Sequence, residues 1–249
     1  MKTMMSRKAA YAGALALGAA VAMAPADANA LLVTGLSGNR AASADFSIVG
    51  GDLQVILTNT STADVLVPID VLTAVFFNIS GVGTLTPVSA LLTSGSVVLF
   101  GPDGGGNVGG EWRYNTGIAG PLGATMSIQS AGYDLPASAA NFNGSNLQGP
   151  VGLDGLQYGI TSAGDNSGTG NTPVTGGNAL IKNSVTFLLS AVNDITEFDI
   201  SNVSFQYGTG LTEPNVPGTV VPVPAALPII GAALAGFGFV GWRQQRKPA

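Results

Sequence analysis

Short apolar runs, separated by clusters of glycine, serine, threonine and asparagine, recur through the central part of the chain, and no long stripe at a 3.6-residue period interrupts them. That rhythm predicts antiparallel strands rather than helices. Residues 53–57 place Leu53, Val55 and Leu57 on one face, 59–62 read as a turn, and 65–69 return as a second strand. A longer β-branched and aromatic run covers 71–79, with shorter strand-like runs at 97–100, 110–114 and 184–189. In 203–207 the large residues Val203, Phe205 and Tyr207 alternate with Ser204 and Gln206, so one face is buried and one is wet. Leu91-Leu92 and residues 137–140 fit a short helix or 3₁₀ turn. Residues 101–110 and 162–177 are too long and too rich in glycine and asparagine for tight hairpins, which leaves functional surface or poor order. The expected body is one all-β domain over 31–212, an antiparallel β-sandwich of jelly-roll-like kind.

The two ends break this pattern. Lys2, Arg7 and Lys8 precede an apolar stretch from 9 to 24, and Ala28 and Ala30 stand at the −3 and −1 positions of a signal-peptidase site. This predicts a signal peptide over 1–30, removed before Leu31. At the other end, 213–220 reads as a proline-rich linker. Val221-Pro222-Val223-Pro224-Ala225 follows, then an apolar segment through Trp242 and a basic tail with Arg243, Arg246 and Lys247. Twenty uncharged residues, 223–242, could just cross a hydrocarbon layer of roughly 30 Å as one transmembrane helix. The positive tail assigns its side to the cytoplasm and the body to the outside.

This tripartite end resembles the PEP-CTERM class of bacterial sorting signals in its V-P-x-P-A variant, with Val221 to Ala225 on the motif and Val223 where leucine is usual. The class is recognised by the membrane protease exosortase. The resemblance covers about 221–249. It implies that the tail is removed or exchanged on the way to the cell surface, with signal peptidase and an exosortase-type protease as partners. The run from Gly51-Asp52-Leu53-Gln54-Val55 through the Asn59-Thr60-Ser61 turn, and the phrases Gly155-Leu156-Gln157-Tyr158-Gly159-Ile160-Thr161-Ser162 and Asn202-Val203-Ser204-Phe205-Gln206-Tyr207-Gly208-Thr209, are also similar to the bodies of such surface proteins. They carry over no catalytic residue. What the resemblance implies is a cell-surface or extracellular-matrix protein associated with biofilm or exopolysaccharide.

Composition narrows the chemistry. Between 31 and 213, Arg40, Arg113 and Lys182 face thirteen acids, a charge near −10 that repels nucleic acid and anionic lipid. There is no cysteine and no histidine. Disulfides are therefore excluded, as are Ser-His-Asp and Cys-His catalysis, and zinc, copper and haem lose their usual donors. Oxygen ligands remain, which suit calcium. The expectation is a non-enzyme with no cofactor beyond an occasional calcium ion.

Five features of the sequence could carry chemistry. Residues 104–109 match G-x-G-x-x-G literally, but a strand-like stretch follows where a dinucleotide site needs a helix, so a hairpin loop accounts for them. Asp103, Asn107 and Glu111, and Asp165, Asn166 and Asn171, could offer oxygens to calcium, whereas Asx-turns explain the same residues. Asp194, Glu197 and Asp199 could supply the two carboxylates of a glycan-active enzyme, or simply solvate a sheet edge. Trp112 and Tyr114 could form a sugar-stacking platform with Arg113 on the opposite face, or serve as core. That platform is the basis of the alternative reading as a carbohydrate-binding module. Small-x-x-x-small pairs in 229–242 could pack against a membrane partner, and arise by chance in so glycine-rich a segment.

Overall fold

The computed structural model describes residues 30–130, 145–147, 158–191, 199–210 and 212–222. Fifteen strands and no α-helix occur among them. They form two sheets, mostly antiparallel, with β10 and β11 running parallel.

The first sheet follows directly from period-two alternation. Its strands are β1 (Leu31–Ser37), β2 (Arg40–Val49), β3 (Asp52–Asn59), β5 (Leu85–Leu92), β12 (Ser184–Ala191) and β15 (Thr219–Val221), in the order β15-β1-β2-β3-β12-β5. Ala42, Ala44 and Phe46 of β2, Leu53, Val55 and Leu57 of β3, and Val185, Phe187 and Leu189 of β12 all turn to one side and are buried. Between β2 and β3, Val49 pairs with Asp52 across Gly50-Gly51, and both glycines have positive φ, 63° and 91°. Such a two-residue turn matches the strand twist and strains any residue with a Cβ.

The second sheet centres on β4 (Leu72–Ser80). It is flanked by β8 (Met126–Gln129), β10 (Gly159–Thr161) and β13 (Asp199–Tyr207), and extends through β6 (Val97–Leu99) and β11 (Leu180–Lys182) on one side. The other side carries β7 (Arg113–Thr116) and β9 (Ser145–Asn146), while β14 (Asn215–Pro217) pairs with β13. Residues 72–77 of β4 are all buried. One face meets the first sheet, and Phe76 and Ala74 on the other are covered by Ile118 and Ala124 of the loop before β8. A continuous apolar run is the sequence mark of a strand buried on both faces.

The two sheets share one apolar core. Phe46 of β2 meets Phe77 of β4 edge to face, centroids 5.4 Å apart, and Trp112 meets Phe187 of β12 at 4.9 Å. Edge-to-face contact brings ring hydrogens against the negative π face, which favours these pairs beyond the area they bury.

Three expectations are corrected. Residues 65–69 are not a strand. Val65 N–H donates to Asp165 Oδ1 (3.0 Å), Pro68 opens a 3₁₀ turn over Pro68–Asp70, and Arg40 donates to Ile69 O (2.9 Å) while pairing with Asp70 (2.8 Å). Leu91-Leu92 belongs to β5, held by pairing with β12. The hairpin β1–β2, whose inward residues Val33, Ala42, Ala44 and Phe46 are interrupted by small and polar ones, forms the framework of the first sheet. Residues 213–220 are not a linker, because β14 pairs with β13 and β15 with β1, which makes this stretch part of the body. Residues 137–140, the signal peptide apart from Ala30, and the span 223–242 lie outside the described residues. No helix among the described residues is long and apolar enough to cross a membrane.

Burial also fixes a pH response. It pushes the Tyr114 hydroxyl up to about 12 from 10.0. Burial pushes the Tyr207 hydroxyl up as well, opposed by Arg40 and aided to a smaller extent by the nearby Asp70. Neither hydroxyl has a hydrogen-bond partner among the described residues that would stabilise a phenolate. A raised folded pKa contributes stability that is intact below pH 10 and is lost as pH climbs through 12. The body should therefore unfold in that alkaline window, with tyrosinate absorbance from the buried rings rising only as tertiary signal disappears. Tyr114→Phe should lessen the loss, and ionisation of all tyrosines near pH 10 in the folded state would contradict the burial.

Candidate functional site

The expected aromatic platform does not form. Trp112 is 0 % exposed and Tyr114 5 %, and both belong to the shared core. Arg113, on the opposite face of β7, is buried as well. The strand is covered on both sides, so neither ring offers a face to a sugar. Alternation told which residues share a side and could not tell that both sides are covered.

The glycine-rich loop consists of two 3₁₀ turns, Gly104–Gly106 and Gly109–Glu111, leading into β7. No helix follows to present an N-terminus to a phosphate. Asp103 Oδ1 accepts from Gly105 N–H (3.0 Å) and Asn107 Oδ1 from Gly109 N–H (3.0 Å), both local Asx turns, while Glu111 is buried. Asn166 Oδ1 likewise accepts from Gly168 N–H (3.2 Å), and Asn171 ties its backbone N–H to Leu66 O (2.9 Å). Among the described residues no group of three acidic side chains converges on one point. Asp199 is exposed at the start of β13, whereas Asp194 and Glu197 lie outside the described residues.

The structure brings together a cluster that the sequence separates by a hundred positions. Asp64 accepts from Thr169 Oγ1 and from Asn166 N–H (2.9 Å), and its neighbour in space is Asp165, buried at the foot of the same loop. Those hydrogen bonds, Thr169 first, hold the Asp64 carboxyl below its ordinary range. Burial above all, and then the adjacent Asp64, push Asp165 up. Asp165 therefore keeps its proton more readily and Asp64 its charge. Lys182 Nζ donates to Asp165 O (2.7 Å) and Ser162 Oγ to Ala63 O (2.6 Å), which finishes a clamp between residues 60–66 and 162–171. Asp165 and Asn166 stood out in the sequence as oxygen donors. Asp64, Thr169 and Lys182 did not, because nothing local connects them to that loop.

Beside this clamp lies a cavity of about 260 Å³, lined by Leu36, Asn39 and the 60–63 turn with Thr60, Ser61 and Thr62. Its lining carries hydroxyls, an amide and no charged side chain. Leu36 at its rim is 75 % exposed. The site can hydrogen-bond a neutral polar ligand and holds no group placed to move a proton.

The far end of β1 holds both ends of the described body. Leu32 pairs with Val221, and Thr34 with Thr219, so Pro222 leaves the first sheet beside Leu31 and Ala30. The strand β1 runs from there to the Gly38-Asn39 turn at the cavity, seven residues or about 23 Å away. Of the expected sorting motif, Val221 and Pro222 are described. Val223, Pro224 and Ala225, the basic residues Arg243, Arg246 and Lys247, and Ala28 of the signal-peptidase site lie outside. Comparison with family models, with curated proteins and with solved structures finds no match.

Proposed function

We propose that this chain is an exported cell-surface or extracellular-matrix protein, delivered by an N-terminal signal peptide and a C-terminal exosortase-type signal. The two sheets over one core are read as a jelly-roll-like β-sandwich whose role is structural. Its acidic exterior, rich in hydroxyls and amides, hydrogen-bonds water and exopolysaccharide, and the uncharged cavity at the far pole is the part best suited to contact a neutral glycan. The reading needs no catalytic group and no cofactor.

One observation carries it. Both expected export signals meet the body at the same pole, where Leu32 pairs with Val221. A body tethered to a membrane at both ends during export, and then released, needs its two ends side by side on the membrane-facing side. Ends on opposite poles would force the domain to straddle about 23 Å of strand length. The opposite pole, with the cavity, is thereby left to face outward.

The test is the intact mass of protein extracted from the cell surface. Protein that begins at Leu31 and lacks 226–249 is the expected species, and Pro222→Ala/Pro224→Ala should accumulate in the membrane with its tail. The prolines hold φ near −65° and bias the preceding residues towards extended geometry. Wild type that keeps 226–249 would make the segment a plain anchor and end the sorting reading.

A further inference from the structure

The stretch that joins the body to the motif is held in two unlike ways. Up to residue 218 it is clamped. Val216 is 2 % exposed in the core, and Gly218 N–H donates to Val203 O (2.8 Å). A Cβ on Gly218 would come 2.6 Å from Val33 Cγ1 and 3.0 Å from Val203 O, so the backbone is pressed tightly there. Beyond it the hold is slight. β15 is three residues at the edge of its sheet, paired with β1 along one side only. Thr219 is exposed, Val220 is 48 % exposed and Val221 is half-buried.

Val221 is both the last ladder residue and the first residue of the motif. Four residues separate it from Ala225, a reach of at most about 13 Å, and the uncharged run begins inside that interval. Enzymes that grip extended peptides do so largely through backbone edges, as an added strand. One edge of 219–221 is already taken by β1.

We propose that β15 is a releasable strap: the folded body docks the leading end of the motif against β1, and the membrane protease acts on the state in which 219–221 has detached, hinged at Gly218. This rests on reading Val221 to Ala225 as the sorting motif. None of the three side chains of β15 is itself fully buried, so its detachment belongs with the low-cost local openings of a fold. It also frees three more residues, about 10 Å of extended chain, between the clamped body and the membrane. Processing is thereby gated by an edge strand rather than by global unfolding.

Thr34 and Thr219 are direct partners, and opposed antiparallel Cα atoms lie roughly 4.5–5.5 Å apart, within disulfide reach. The chain has no cysteine to compete. In the full-length protein, oxidised Thr34→Cys/Thr219→Cys should lose its tail roughly tenfold or more slowly than either single variant, and reductant should restore the rate. Trimming of the locked variant at the wild-type rate would overturn the strap and leave the sorting reading standing. Wild type that is never trimmed would remove both. Hydrogen exchange on the unmodified full-length chain checks the strap without any protease. Amides of 219–221 should exchange roughly tenfold or more faster than those of β2 and β3, and equal protection would refute the proposal.

Discussion

Trp112→Ala should destabilise the body by about 3–5 kcal/mol, the range for deleting a large buried aromatic side chain. Its indole is wholly buried and meets Phe187 of the facing sheet at 4.9 Å, so the cavity left behind would open between the sheets. Because β7 is buried on both faces, the strand has little freedom to collapse into that space. With total stabilities of about 5–15 kcal/mol, the variant should melt far below wild type or fail to fold at ordinary temperature. Urea denaturation followed by tryptophan-independent circular dichroism measures this, with Leu36→Ala as the exposed control, expected within about 0.5 kcal/mol of wild type. The same experiment separates two readings of this residue. A sugar platform predicts a stable variant that has lost glycan binding, and a core residue predicts an unstable one. A folded Trp112→Ala of wild-type midpoint would contradict the burial described above.

A chain ending at residue 212 should not fold cooperatively, while one ending at 222 should. The ten residues between them contain more than two strands. Glu213 Oε2 accepts from Gly210 N–H (2.8 Å), from Thr209 N–H and from Thr209 Oγ1 (3.1 Å). Pro214 O accepts from Tyr207 N–H (2.9 Å). The wholly buried Gln206 donates to Glu213 O (3.2 Å) and accepts from Asn215 Nδ2 (3.1 Å). Each buried polar group left without its partner costs about 1–3 kcal/mol, and losing the Val216 side chain from the core forfeits about 1.5–3 kcal/mol more. Truncation at 212 also uncovers one edge of β13 along Ser204 to Gln206, which invites strand-to-strand association. Paired melting curves of chains 31–212 and 31–222 decide the matter. Equal midpoints would mean that β14 and β15 are ornaments on a body complete without them.

The second expectation bears on the export proposed above. If the stretch through Gly218 is needed for folding, the body cannot complete its second sheet until the chain has emerged to within three residues of the proposed motif. Folding and presentation of the motif then become consecutive events at one pole.

Much of the fold was legible in local pattern. Leu53, Val55 and Leu57, Phe187 with its neighbours in β12, and Phe205 with Tyr207 alternate as they do because a strand's side-chain period is two, whatever it pairs with. The longer apolar run at 71–79 likewise became a strand, β4, although its burial on both faces was seen only in the structure. Charge, the missing cysteine and histidine, and the order of segments at the two ends are likewise properties of the chain alone. Tertiary structure decided the rest. Alternation names a face but not the neighbour, so the pairing of β3 with β12, more than a hundred residues apart, could not be read from either strand. Nor could the depth of Trp112, which depends on a second layer over each side of β7. Residues 65–69 have strand-like composition yet give Val65 N–H to Asp165, because a carboxylate from a distant loop reaches it before any strand does. Residues 213–220 have loop-like composition yet form strands, because an open sheet edge supplies the backbone hydrogen bonds that their side chains do not argue for.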